Sequence, residues 1–240
     1  MLEEYFKKLY DKGNDSFFKE LDRRLIEEQK TFVVTANPET LMIGNENKEF
    51  DKVLLKESTI IVPDGIGVVK AANKLLYTIK ERITGVDIVS HLFKSADINK
   101  KSIYLLGAKE EVLVALVNKI KSDYPCINIL GYKNGYTKDK DATFEEIIRL
   151  KPDIILVALG IPSQELLIDK YYDRFEKGIM IGVGGSFDVL SGTKKRAPQI
   201  FIKLNLEWLY RIAKEPKRFK RFYSSNVRFV SQIKQIKRGV

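Results

Sequence analysis

Cysteine and histidine are all but missing from this chain. Its 240 residues hold one of each, Cys126 and His91. A single thiol cannot form an internal disulfide, and no Cys/His cluster is available for a structural zinc. Catalysis of the Ser-His-Asp or Cys-His kind can be assembled only through His91. That residue sits in an expected helix beside Leu92 and Phe93 and reads as partly buried structure. Cys126 follows Pro125 ahead of an expected strand and reads as a small apolar filler. Long apolar runs are missing as well: none approaches the ~20 residues needed to span a bilayer. The first residues, Met1-Leu2-Glu3-Glu4-Tyr5, carry two acids where a signal peptide needs positive charge. The expectation is a reducing, cytoplasmic compartment, with the membrane surface still within reach. There is no internal repeat and no low-complexity linker.

What is present is an ordinary globular composition, 44% hydrophobic and 31% charged. The net charge of +10 is unevenly placed. Residues 211–240 hold ten of the 42 Lys and Arg but only one acid, Glu215, out of 32. The body is nearly neutral and the last thirty residues form a basic arm.

Apolar periodicity gives the architecture. Phe17, Phe18, Leu21, Leu25 and Ile26 recur at helical spacing. A strand is expected over 31–36, and Pro38 then opens a helix at its first turn. Val53-Leu54-Leu55 close a second helix. Thr59-Ile60-Ile61-Val62, bounded by Pro63-Asp64-Gly65, is a buried strand with a turn at its end. Further strands are expected at 102–106, 127–130, 153–159 and 179–183, alternating with helices at 110–122, 144–150 and 163–172. Such alternation predicts an α/β fold with a Rossmann-like, mostly parallel sheet and helices on both faces. Ligands of these sheets bind beyond the carboxyl ends of the strands. That rule selects Thr35-Ala36-Asn37, Pro63-Asp64-Gly65, Leu106-Gly107-Ala108, the 159–165 stretch and Gly182-Val183-Gly184-Gly185. After Gly192 the pattern changes. A helix is expected over 199–214, broken by Pro216, and Val227, Val230, Ile233 and Ile236 then recur three residues apart among Arg228, Lys234, Lys237 and Arg238. The division is therefore a catalytic domain over 1–195 and a basic helical C-terminal appendage over 196–240.

Several residues in these segments could carry chemistry. Asp64, at the end of an apolar strand, would point a carboxylate into the crevice and serve as a general base; an Asp-Gly turn or a helix cap explains it equally. The polar residues of Gly160-Ile161-Pro162-Ser163-Gln164-Glu165 lie at a helix start, where they can meet an anion or simply cap the helix. Gly182-Val183-Gly184-Gly185 allows close approach to a phosphate, but it is not the full G-x-G-x-x-G dinucleotide pattern. Asp139-Lys140-Asp141 has the D-x-D spacing of a metal-diphosphate site, yet it sits between Lys138 and the following helix and reads as a solvated loop and cap. No metal and no other cofactor is expected.

Taken together, the segments Thr35-Ala36-Asn37-Pro38-Glu39, Pro63-Asp64-Gly65-Ile66-Gly67-Val68-Val69, Arg82-Ile83-Thr84-Gly85-Val86-Asp87, Leu105-Leu106-Gly107, 158–165 and 182–188, followed by Arg196-Ala197-Pro198, Leu206-Glu207-Trp208-Leu209-Tyr210-Arg211 and Glu215-Pro216-Lys217-Arg218, resemble the WecG/TagA/CpsF family of bacterial glycosyltransferases. The resemblance runs from residue 35 to 218 in order. It implies transfer of a sugar, N-acetylmannosamine in the best-known members, from a UDP-sugar donor to an undecaprenyl-diphosphate-linked N-acetylglucosamine in cell-wall polymer assembly. The alternative is the same scaffold using another donor such as UDP-glucose for exopolysaccharide. The resemblance places the base at Asp64 and polar substrate contacts at Thr35, Asn37, Arg82 and Gln164. It implies inversion at the anomeric carbon without a metal. Where family members often carry a lysine, this chain has Ser163.

Without a metal, the charge growing on departing UDP needs cations or backbone amides. Gly184 and Gly185 can offer amides, while Arg82, Arg196, Arg211, Arg218 and Arg221 can offer forked donors suited to a diphosphate. The basic arm is further expected to meet an anionic membrane surface, with packing on the body or on another subunit as the competing reading. Two other functions compete. A nicotinamide or methyl-donor enzyme lacks its glycine fingerprint at the first strand. A nucleic-acid module could be read from Phe219, Phe222, Tyr223 and Phe229 among the bases of the tail. The match over the body argues against both, so no nucleic-acid partner is expected; homo-oligomer formation stays open.

Overall fold

The computed structural model describes residues 2–238, without the side chains of Arg218, Arg221, Lys237 and Arg238. Two N-terminal helices, α1 (Leu2–Lys8) and α2 (Asn14–Ile26), precede β1 (Thr31–Ala36). Helices α3 (Pro38–Glu46) and α4 (Lys48–Leu55) lead to β2 (Thr59–Pro63). Next come α5 (Ile66–Lys74), α6 (Gly85–Ile98), β3 (Ser102–Gly107), α7 (Glu110–Asp123) and β4 (Asn128–Lys133). The body ends with α8 (Lys140–Leu150), β5 (Ile154–Ala158), α9 (Ser163–Tyr172), β6 (Ile179–Gly182) and α10 (Ser186–Leu190). The C-terminal stretch holds α11 (Gln199–Lys203), α12 (Glu207–Lys214) and α13 (Arg218–Arg238).

The six strands form one parallel sheet in the order β2-β1-β6-β5-β3-β4. The expected α/β architecture is therefore the observed one. Strand alternation sorts side chains between two cores. Phe32, Val34, Tyr104, Leu106, Ile155, Val157 and Met180 point to one face, with α1, α3, α4, α5, α8, α9 and α13. Val33, Ile103, Leu105, Ile154, Leu156, Ile179 and Ile181 point to the other, with α2, α6, α7 and α10. β5 feeds a crossover toward β6 while its neighbour β3 feeds one toward β4, so the direction of the connections reverses between β3 and β5. Close packing at that point is enforced by Gly107: its φ is +123°, and a Cβ would lie 2.3 Å from the Ala158 carbonyl oxygen.

The appendage departs from expectation in two ways. The single helix expected over 199–214 is two, because Asn205 takes a left-handed φ of 58° between α11 and α12. The apolar stripe of α13 is also not one surface. Phe229 and Ile233 are buried against the body, Phe229 facing Phe6 at 6.3 Å between ring centroids, and Ile236 packs beside them. Val227 and Val230 remain about half exposed, at 48% and 49%. Three-residue spacing drifts around a helix of 3.6 residues per turn, and Phe229 takes the inward place the drift leaves. Arg228 pairs with Glu46 of α3 at 2.7 Å, fastening the helix from its rim.

Candidate active site

Asp64 follows β2 directly. Its amide donates to the Ala36 carbonyl at 2.8 Å, which ties the turn to the end of β1. Gly65 comes next at a φ of +126°, a conformation open to glycine, and starts α5. Asp64 as a residue is half-buried, with its carboxyl the enclosed part. Burial pushes its pKa up to about 6, against the opposing pull of Arg211 and Arg82; Glu207 adds to the rise, and a hydrogen bond from the Gly85 backbone lowers it. A carboxylate with that pKa is ionised at neutral pH yet a better proton acceptor than an exposed aspartate.

Arg82 and Arg211 act on its charge, and with Arg196 they converge on Glu207. That side chain is only 6% exposed. Its Oε2 accepts from Arg82 Nη1 at 3.3 Å, and its Oε1 accepts from Arg211 Nη2 at 3.2 Å and lies 3.5 Å from Arg196 Nε. Arg82 also donates to the Ile202 carbonyl at 3.3 Å. Arg196 reaches Asp87 at 2.7 Å. Asp87 is fixed in turn by Thr84, the N-cap of α6, whose hydroxyl donates to it at 2.6 Å. Burial pushes the Asp87 carboxyl up, but the bonds from Arg196 and Thr84 outweigh it and hold the group below its ordinary value. Glu207 and Asp87 went unassigned in the sequence, although both lie in motif blocks. The four-residue step from Glu207 to Arg211 was the available signal; nothing local tied Glu207 to Arg82.

Beside this cluster opens a cavity of about 330 Å³, lined by Gly185, Val189, Lys194, Lys195, Arg196, Ala197, Tyr210, Arg211, Lys214 and Glu215. Lys194 is already paired, with Asp188 at 3.0 Å and Glu215 at 2.9 Å. The strongly cationic wall suits a phosphorylated ligand.

The other expected contacts are placed differently. Gln164 lies behind the crevice wall, 2% exposed. Its Oε1 accepts from the amides of Gly160 and Gly184, each at 3.1 Å, and its Nε2 donates to Glu165 at 2.7 Å. It thus braces the loops after β5 and β6, and the Gly184 amide proposed for a phosphate is spent on that brace. Glu165 is buried with one carboxylate oxygen unbonded, and burial pushes its pKa up to about 7. Asn37 caps α3 in a reciprocal box with Thr40, accepting from the Thr40 amide at 3.0 Å. Thr35 lies at the end of β1 beside Gly85, within 4.0 Å of where a Cβ on that glycine would stand. The side chains of Arg218 and Arg221, and with them the contacts expected there, lie outside the described residues.

The profile of the glycosyl transferase WecG/TagA/CpsF family matches residues 9–239. The chain belongs to this family. It is 42% identical over 210 residues to an N-acetylglucosaminyldiphosphoundecaprenol N-acetyl-beta-D-mannosaminyltransferase of Bacillus subtilis, a stretch covering 87% of this chain and 82% of the relative. Proteins of the same name from Bacillus spizizenii and Staphylococcus aureus are 40% and 39% identical over equal lengths, covering 81% and 82% of the relatives. This WecG/TagA/CpsF member is therefore a glycosyltransferase.

In this family member the D-x-D segment is a helix start: Asp139 caps α8 by accepting from the Ala142 amide at 2.7 Å, and Asp141 pairs with Lys170 at 2.8 Å. Among the described residues no three of His, Cys, Asp and Glu cluster as metal ligands, and no helix is long and apolar enough to cross a membrane. His91 is structural, bonded to Asp22 at 2.8 Å and stacked on Phe18 at 4.5 Å. Cys126 is exposed, which corrects its reading as a core filler; the following Ile127, not the thiol, enters the core.

Proposed function

We propose that this transferase moves N-acetylmannosamine from a UDP-linked donor to N-acetylglucosaminyl-diphospho-undecaprenol, with inversion and without a metal. The activity is that of its relatives' names, and the observation that supports it most directly is the Asp64 carboxyl with a pKa near 6 beside Arg82 and Arg211. Asp64 takes the proton of the acceptor hydroxyl as its oxygen attacks the anomeric carbon. The bond from that carbon to the UDP oxygen breaks on the opposite face, and UDP leaves with the electron pair. Arg82, Arg196 and Arg211 meet its growing charge, doing what a metal ion does in other transferases. Metal independence is supported by the D-x-D carboxylates being engaged in a cap and an ion pair.

Residues 196–240 act in this reading as an appendage with two jobs. Its first part completes the crevice through Arg196 and Arg211, with Arg218 and Arg221 following on the next helix. Its outer surface lies against an anionic bilayer. Ile200, Leu204, Phe219, Tyr223, Val227 and Val230 are exposed there among lysines and arginines, and each such cation contributes about 1 kcal/mol near an anionic surface. The test of the reaction is a panel of UDP-sugars with a soluble analogue of the lipid-linked acceptor, read by mass spectrometry. With UDP-N-acetylmannosamine as donor, an acceptor carrying one added N-acetylmannosamine is expected, together with free UDP; turnover with UDP-glucose alone overturns the donor assignment.

A further inference from the structure

We propose that Glu207 is a positioning residue of the transfer reaction: its buried carboxylate gathers Arg82, Arg196 and Arg211 into one ring, so that the guanidinium groups face an incoming diphosphate instead of closing on Asp64. The proposal rests on the reading of Asp64 as the base.

The three arginines come from separate stretches of chain. Arg82 precedes α6, Arg196 follows α10, and Arg211 lies one turn beyond Glu207 on α12. Like charges from three segments do not gather unaided, and a carboxylate at their centre is what brings them together. Glu207 is 5% exposed as a residue and touches all three. Each guanidinium has five N–H donors; Glu207 accepts from one nitrogen of Arg82 and one of Arg211 and pairs with Arg196 through charge at 3.5 Å, Ile202 and Asp87 take a further nitrogen of Arg82 and of Arg196, and the N–H groups left over are those offered to a ligand.

The alternative partner is Asp64. The charged groups acting on it are Arg211 and Arg82, which favour its ionised form, and Glu207, which disfavours it. Arg196 is held one step away by Asp87. Without the Glu207 charge, Asp64 is the nearby carboxylate on which both Arg82 and Arg211 act, Asp87 drawing on Arg82 and Arg196 as well, and an aspartate clamped between two guanidiniums is a poor base. Glu207 therefore serves both halves of the reaction: it aims the cations at the leaving group and keeps the base free. The same carboxylate fastens α12 to the body through Arg82, so a purely structural role has to be separated from this one.

The experiment uses the full chain with a UDP-sugar and a soluble acceptor analogue. Profiles of kcat/KM against pH are recorded for the wild type, Glu207→Gln, Glu207→Asp and Asp64→Asn, with UDP-induced thermal shifts reporting folding. In Glu207→Gln the acid limb moves to lower pH, because Asp64 then sheds its proton more readily. Its plateau kcat falls on the order of ten- to a hundredfold. Glu207→Asp keeps the charge but is one methylene short of bridging Arg82 and Arg211. Its acid limb stays in place while kcat falls severalfold. A folded Glu207→Gln protein with an unmoved limb overturns the proposal even if it is slow, since lost structure alone lowers the rate without moving the limb. If only Glu207→Asp folds, a wild-type kcat from it overturns the proposal. An inactive Asp64→Asn beside an unmoved Glu207→Gln limb removes Glu207 alone. Near wild-type turnover by Asp64→Asn removes the base, and with it this proposal.

Discussion

Replacing Asp64 with asparagine should push activity and stability in opposite directions. The carboxyl has an ordinary pKa of 3.8 in the unfolded chain and about 6 in the folded protein, raised chiefly by burial. A raised folded-state pKa means that the folded protein binds this proton more tightly than the unfolded chain. Below about pH 4 both states carry it and the residue is neutral to stability. Between about pH 4 and 6 the unfolded chain has released the proton and the folded protein has not, so stability falls as pH rises. Above about pH 6 the cost is complete, and at roughly 1.4 kcal/mol per pH unit it amounts to at most about 3 kcal/mol. Solvent on the open side of the crevice screens part of this. Asparagine is nearly isosteric and never carries the charge. Asp64→Asn should therefore melt higher than the wild type at pH 8, with the difference vanishing near pH 4. Its turnover should fall on the order of 10²–10⁴, about 3–5 kcal/mol of barrier. The wild-type acid limb should have its midpoint near pH 6, with about a tenfold loss of the ionised base from pH 7 to pH 5. Differential scanning fluorimetry and an initial-rate pH series measure both sides. A variant that melts lower at pH 8, or that keeps its turnover, refutes the argument on the corresponding side.

Other expectations follow from individual contacts. Activity should persist in excess EDTA, and Asp139→Ala/Asp141→Ala should remain active while losing about 1 kcal/mol of stability with its helix cap; manganese- or magnesium-restored activity after chelation would contradict this. Gln164→Ala should leave the Gly160 and Gly184 amides without their partner, costing roughly 1–3 kcal/mol per buried donor and lowering kcat through the loosened loops; a thermal melt at the wild-type temperature would count against the brace. Val227→Glu/Val230→Glu changes the exposed side of α13 but not Phe229 or Ile233. It should sediment less with anionic liposomes at unchanged melting temperature, and undiminished sedimentation would remove this surface from membrane contact. Phe229→Ala, by contrast, should cost about 3–5 kcal/mol whatever the lipid, read from denaturant midpoints.

The body of the fold was legible because its signals are local. Apolar runs such as Thr59-Ile60-Ile61-Val62 fill both faces of a buried parallel strand, and Pro38 and Pro63 mark the adjoining ends. Expected strands at 31–36 and 102–106 match β1 and β3 to within a residue. The appendage was less legible because its geometry is decided at a distance. Asn205 breaks a periodic segment through one left-handed residue, and Phe229 faces inward because Phe6 awaits it at the other end of the chain. The site divides in the same way. Asp64 announces itself by following a strand. Gln164 has the polarity of a substrate contact, but only the meeting of two loops reveals that its hydrogen bonds are directed inward. Glu207 carries no sign of its role beyond Arg211, since Arg82 lies 125 residues away in the chain.

The two faces of the sheet differ in when they can be completed. The core containing α2, α6, α7 and α10 draws on residues no later than Leu190. The opposite core begins at Leu2 and is finished by Phe229, Ile233 and Ile236. During synthesis, one side of the sheet can therefore close while the appendage is still unmade. The other keeps Phe6 and the surface of α3 uncovered until nearly the whole chain has emerged. Closing so long a loop is entropically dearer than any helix-to-neighbour contact in the body, and a ribosome-bound chain lacking its last helix would show that face to whatever holds nascent proteins from aggregating.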